Sequence, residues 1–141
     1  MTAKGPIQLF VATKAFILNK GKVLIIRESG KYRDGTHTGI FDLVGGRITP
    51  GQPFNKSLQR EIREETSLRV KIGNPFFVSE WRPVVRGQQW QIIGIFFLCK
   101  ALNTKVKLSR DHDAYKWIDP KSFKKERMIV NLHKVFKAYL N

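Results

Sequence analysis

Between Gly46 and Leu68 the chain reads Gly46, Gln52, Arg60-Glu61-Ile62, Glu64-Glu65 and Ser67-Leu68. Three carboxylates crowd there, in a protein with 26 Lys and Arg against 11 Asp and Glu and a formal net charge of +15. Like charges at helical spacing repel by about 0.2–0.5 kcal/mol per pair, so the concentration is unfavourable unless a cation sits on it. A divalent metal site, whose ion takes carboxylate oxygens, is the economical explanation. Pro53 fits the first turn of a helix, where its missing N–H removes no bond, and the helix is expected to run to about Thr66. At about 100° per residue, Glu61, Glu64 and Glu65 fall in an arc of about 100°, with Leu58 and Ile62 beside it and Lys56, Gln59 and Arg63 opposite. A solvated acidic face would lie opposite the apolar stripe. Here the opposite side is basic or neutral, so the carboxylates border the buried face and are expected to line a cleft between helix and sheet.

The rest of the chain alternates strand and turn signals. Residues 7–18 and 22–28 read as a hairpin around Asn19-Lys20-Gly21, residues 29–39 as a glycine-containing loop, and 40–44 as a short strand leading to Gly45-Gly46. Residues 69–72 begin an extended segment, 76–86 and 89–102 read as two long strands joined around Gly87, and 115–118 as a last short strand. Residues 127–140 carry Met128, Leu132, Val135, Phe136 and Tyr139 near helical spacing and predict an amphipathic terminal helix. No internal repeat or low-complexity stretch interrupts the pattern.

A length of 141 residues with 42% hydrophobic residues suits one packed domain, 1–141. No apolar stretch of about 18 residues is present to span a bilayer, and residues 1–6 lack a signal-peptide run, so a cytoplasmic location without membrane contact is expected. The single cysteine, Cys99, lies beside the apolar run 92–98 and reads as a buried core thiol. The positive charge is compatible with nucleic acid as a partner, but the cations are scattered and no nucleic-acid motif accompanies them, so a solvated surface is favoured.

The box spacing resembles the signature of the Nudix hydrolases, G-x5-E-x7-R-E-U-x-E-E-x-G-U, in which U is bulky and aliphatic. Gly46, Arg60, Glu61, Ile62, Glu64, Glu65 and Leu68 fit; Gln52 replaces the first Glu and Ser67 the last Gly. A second stretch, Leu108-Ser109-Arg110-Asp111-His112-Asp113-Ala114-Tyr115-Lys116-Trp117, is similar to the acidic loop before the last strand of many such enzymes. The resemblance implies an α/β/α sandwich, with a mixed β-sheet between the box helix and a C-terminal helix. It implies metal-dependent cleavage of a pyrophosphate bond in a nucleoside di- or triphosphate or a nucleoside diphosphate linked to another group, with nucleotide-pool sanitising as one such role.

Carried over onto this sequence, the resemblance makes Glu61, Glu64 and Glu65 ligands of Mg²⁺ or Mn²⁺, with the Gly46 carbonyl and Asp111 as further ligands. Glu61 or Glu64 would activate water, and Arg60 would orient the neighbouring carboxylates. Gln52 keeps the shape of a Glu that supports Arg60 and loses its charge, which predicts weakened activity. Ser67 stands where a glycine ends the helix in a left-handed conformation, so either Ser67 is strained or the exit turn differs. Arg27 is a candidate phosphate contact, and Tyr32, Trp81 and Trp90 are candidates to stack on a base, against a core reading for the two tryptophans. His112 reads as structural, and His37 and His133 belong to no constellation. Two rivals stand beside the enzyme: a catalytically weakened nucleotide-binding or regulatory protein, and an RNA 5′-end pyrophosphohydrolase or RNA binder. A monomer or homodimer is equally compatible with the sequence.

Overall fold

The computed structural model describes residues 5–32, 35 and 37–141. The expectations for residues 1–4 and for loop positions 33, 34 and 36 therefore fall outside the described residues. Two apolar runs flanking Lys20-Gly21 form β1 (Gln8–Asn19) and β2 (Lys22–Glu28). Both turn residues have positive φ, 49° and 78°, the geometry that matches the twist of hairpin strands. Strands β1 and β2 pair only at Leu18–Val23 and Asn19–Lys22, and then splay.

The opening is filled by the segment expected as one strand over 40–44. It divides into β3 (Phe41–Asp42), paired with β2, and β4 (Val44–Arg47), paired with β1. The break has a local cause: the Leu43 N–H donates to Asp42 Oδ1 at 2.6 Å and is lost to the ladder. Gly45, with φ 146°, packs where a Cβ would overlap the Thr13 carbonyl. Only glycine lets β4 lie this close to β1.

The next strands differ from expectation in joining what the sequence divides. β5 (Val70–Trp81) runs continuously through both expected segments, although Pro75 and the irregular pairing on either side of it disturb the register. It lies at the end of the sheet, where a missing ladder N–H is tolerated. A separate β6 (Val84–Val85) turns through Arg86-Gly87 into β7 (Gln88–Ala101). β8 (His112–Ile118) starts earlier than expected and pairs with β2. The main order is β3-β2-β1-β7-β5, with β1 and β7 parallel and the other pairs antiparallel.

Helix α1 (Phe54–Thr66) lies on one face and α2 (Asn131–Leu140) on the other. Pro53 occupies the position just before α1, its carbonyl accepting from the Ser57 N–H at 3.0 Å. Leu58 and Ile62 are fully buried against Ile17, Leu24, Val44 and Phe97; each such burial contributes about 1.5–3 kcal/mol. On the opposite face Leu132, Val135 and Phe136 pack on Phe16, Ile25 and Phe96. α2 begins later than the expected 127 because the preceding segment is extended: the Phe41 N–H donates to the Arg127 carbonyl at 2.9 Å, and Met128 bridges Phe41. A 3-10 segment (Pro120–Lys125), which the sequence reading did not foresee, links β8 to it. Cys99 is buried, as read from the sequence. Among the described residues no helix is long and apolar enough to cross a membrane.

Candidate active site

The acid-bearing side of α1 faces β4. A Cβ on Gly46 would stand 3.1–3.3 Å from the Glu61 carboxylate, so the missing side chain is what gives Glu61 its room. Glu61 and Glu65 are mostly covered, with side chains 17% and 14% exposed, whereas Glu64 is 56% exposed. Arg60 reaches along the same side: Nη2 lies 3.5 Å from Glu61 Oε1, and Nη1 lies 3.3 Å from Glu64 Oε2. Its Nη2 also donates to Gln52 Oε1, at a long 3.4 Å.

The three glutamates sit in different fields. Burial raises Glu61 above its ordinary value, and the charges of Glu65 and Glu64 add to this against the opposing pull of Arg60 and Lys14. Burial acts the same way on Glu65, but His112, Ser109 and Lys14 together outweigh it and hold Glu65 below its ordinary value. Ser109 Oγ donates to Glu65 Oε2 at 3.1 Å. His112 Nδ1 lies 2.6 Å from the same oxygen, outside the alignment of a good hydrogen bond.

Glu61, Glu64, Glu65, Arg60, Gly46 and Asp111 line one open cleft of about 890 Å³. Gly45, Gly46, Arg47, Tyr32 and Glu65 also line a smaller pocket of about 160 Å³, so the two adjoin. Trp81 and Trp90 lie on the wall of the smaller pocket. Gly94 leaves room for Trp81, whose ring a Cβ there would strike, and Trp90 is 7% exposed with its indole N–H lacking a hydrogen-bond partner. Arg47 lies over the rings of Phe10 and Trp90, 4.8 and 4.5 Å from their centroids. Arg27 is elsewhere: its Nε donates to Asp113 Oδ1 at 2.7 Å, and it lines neither the cleft nor the smaller pocket.

Sequence reasoning passed over Lys14 and Asp42. Lys14 Nζ donates to Asp42 Oδ2 at 3.0 Å on the wall of the smaller pocket, with Lys14 nearly buried. Its signal was a lone lysine within the apolar stretch 11–18, on the same face of the strand as Ala12 and Phe16. Nor was the Glu65–His112 contact foreseen, since it joins α1 to a strand distant in sequence.

The chemistry of the donors suits a hard cation, because three carboxylates on α1 share one cleft and Glu61 is left in the field of two others. Their geometry alone does not make a closed cage. Among the described residues no three His, Cys, Asp or Glu side chains converge closely enough to hold a metal by themselves. Water or substrate oxygens would have to complete the shell, as Mg²⁺ ordinarily requires.

The NUDIX domain family profile matches residues 9–139. Nucleoside triphosphatase NudI of Escherichia coli O1:K1 / APEC is 30% identical over 93 residues, covering 61% of this chain and 66% of its own. This chain thus spans 66% of the length of that curated relative. The crystal structure of MutT protein from Methanosarcina mazei Go1 superposes with a TM-score of 0.84 at 24% identity, covering 96% of each chain. That of MutT NUDIX hydrolase from Burkholderia pseudomallei gives 0.75 at 19% identity, over 93% of this chain and 98% of its own. At such identities the structures speak for the fold, a mixed sheet with a helix on each face. With the profile running over nearly the whole chain and the box helix seated on its glycine strand, this chain belongs to the Nudix hydrolase superfamily.

Proposed function

We propose that the chain hydrolyses a pyrophosphate bond in a nucleoside di- or triphosphate, or in a nucleoside diphosphate linked to another group, with Mg²⁺ or Mn²⁺ as cofactor. The observation that carries this reading is two adjoining spaces with two chemistries: a carboxylate-lined cleft beside an aromatic pocket that shares its Gly45–Arg47 wall. Anionic phosphates held by cations fit the first part, and a flat heterocycle fits the second.

Glu61, Glu64 and Glu65 would hold the metal, with Asp111 and the Gly46 carbonyl as further donors. When bound, the ion would neutralise phosphate oxygens and make a bound water more acidic. Arg60 would keep Glu61 and Glu64 aligned, and His112 with Ser109 would hold Glu65 ionised. Glu61, whose burial favours the protonated form, is suited to accept a proton from the attacking water. Arg47, pinned over Phe10 and Trp90, is better placed than Arg27 to meet a phosphate at the junction of the two spaces. Tyr32, Trp81 and Trp90 would bound the base.

The test is a panel of nucleoside triphosphates and nucleoside diphosphate derivatives assayed with Mg²⁺, with Mn²⁺ and with chelator. Metal-dependent turnover that falls at least about a hundredfold in Glu61→Gln is expected; no turnover of any compound would overturn the reading. One observation favours a weakened enzyme as a second reading: neutral Gln52 bonds Arg60 at only 3.4 Å. Gln52→Glu is then expected to raise kcat/KM several-fold, consistent with the tenfold scale of such supporting contacts. An unchanged value would remove this reason for calling the enzyme weakened.

A further inference from the structure

At the end of the sheet remote from the cleft, a shallow groove of about 430 Å³ is lined by Lys20, Lys71 and Lys100 over Leu18, Leu98 and Cys99. The cleft uses the beginning of β1 and the adjoining pocket the beginning of β7, whereas this groove uses the ends of both strands and the beginning of β5. Lys71 and Lys100 are direct antiparallel partners, an arrangement in which like charges destabilise the sheet. None of the three lysines forms an ion pair with a described residue. Segments 1–27, 66–79 and 81–110, from which this end is built, contain no Asp or Glu. Most of the acids lie elsewhere; strand pairing brings Asp119, next to the Val23 partner Ile118, towards this end, and its Oδ1 accepts from the Lys121 N–H.

We infer that this groove is a nucleic-acid site that holds the phosphodiester backbone without reading bases. The charge complementarity is direct: opposed residues in antiparallel strands lie about 4.5–5.5 Å apart, close enough for both lysines to serve neighbouring phosphates along one strand. No aromatic side chain lines the groove, so the base stacking that single-strand binders add is missing. Affinity should therefore come from counterion release and be indifferent to sequence. A membrane surface fits less well, because the apolar groups form a recessed floor between exposed lysines and offer nothing that projects into lipid. The site is independent of the pyrophosphatase reading.

The test compares the full chain, Lys71→Gln/Lys100→Gln and the charge-matched control Lys56→Gln/Arg63→Gln on the exposed side of α1. Binding to a single-stranded oligonucleotide of about 20 residues is titrated by fluorescence anisotropy between about 50 and 200 mM salt. The groove variant is expected to bind more weakly, with its log–log salt slope shallower by about 1.4, while the control keeps the parent slope. Equal losses in both variants, no oligonucleotide binding by the parent, or binding to anionic vesicles alone would each overturn the inference. Should the groove variant fold poorly, lysine acetylation of the parent gives a second readout. Lys71 and Lys100 should be protected when oligonucleotide is bound, and unchanged labelling would be as decisive against the site.

Discussion

Ser67 ends α1 at φ 63° and ψ 10°, its N–H donating to the Arg63 carbonyl at 2.9 Å. Of the two outcomes the sequence allowed, strain at the serine is the one observed. A left-handed non-glycine residue costs about 1–2 kcal/mol. Its Oγ recovers part of that by donating to the Lys107 carbonyl at 3.2 Å. Ser67→Gly should therefore stabilise the fold by about 0.5–1 kcal/mol; a lower urea midpoint at unchanged m would contradict this. Cys99 shows a different single-residue effect. Burial pushes its thiol from 9.0 to about 12, so above pH 9.0 the unfolded chain loses this proton first. The unfolded state then binds fewer protons, and this contribution to stability falls as pH rises from 9.0 towards about 12. Cys99→Ser should show a smaller decline over that range in denaturant titrations. Both features were legible from local chemistry, a serine where glycine is wanted and a thiol in an apolar run. Lys14 and Asp42 were not, because their pairing depends on where β3 docks.

The element that positions the site is the short β3–β4 passage, and it was only half legible. Glycines at 45 and 46 announced a close approach, but one strand over 40–44 was expected because side-chain competition at Asp42 leaves little trace in an apolar pattern. Likewise β5 hid behind Pro75, which reads as a break until the strand is known to lie at the sheet's end, and 127–130 had helical spacing while serving to bridge Phe41. By contrast α1 was readable at both ends, since Pro53 and Ser67 punctuate it. The two glycines predict opposite failures. Gly45→Ala places a Cβ on the Thr13 carbonyl in a backbone conformation that L residues avoid, and should cost about 3 kcal/mol or more in chemical denaturation. Gly46→Ala meets only the Glu61 carboxylate at 3.1–3.3 Å. It should change stability by less than about 1 kcal/mol while displacing Glu61 and cutting turnover at least about tenfold. Equal effects of the two on stability would show that β4 is not positioned by its contact at Gly45.

Across the whole molecule, charge is distributed against the fold's convenience: acids converge in the cleft, and unpaired lysines gather at the far end of the sheet. The two regions lie towards opposite ends of β1, and each face of the sheet carries its own apolar core. The consequence for stability differs among the acids. Glu61 lies above its ordinary pKa, so at neutral pH its ionised form opposes folding; Glu65 lies below, so its ionised form supports folding. Without divalent metal, Glu61→Gln should therefore raise the melting temperature and Glu65→Gln should lower it. A cation that binds only the folded cleft reverses part of this order. At about 100 times its Kd it should stabilise the parent by about 2.7 kcal/mol, and the increment should shrink in both variants because each has lost a carboxylate. Calorimetry with Mg²⁺, against matched monovalent salt, reads all of these signs without relying on turnover. If the parent gained no stability from Mg²⁺ or Mn²⁺, or if Glu61→Gln kept the full gain, the acids on α1 would have to be explained without a metal.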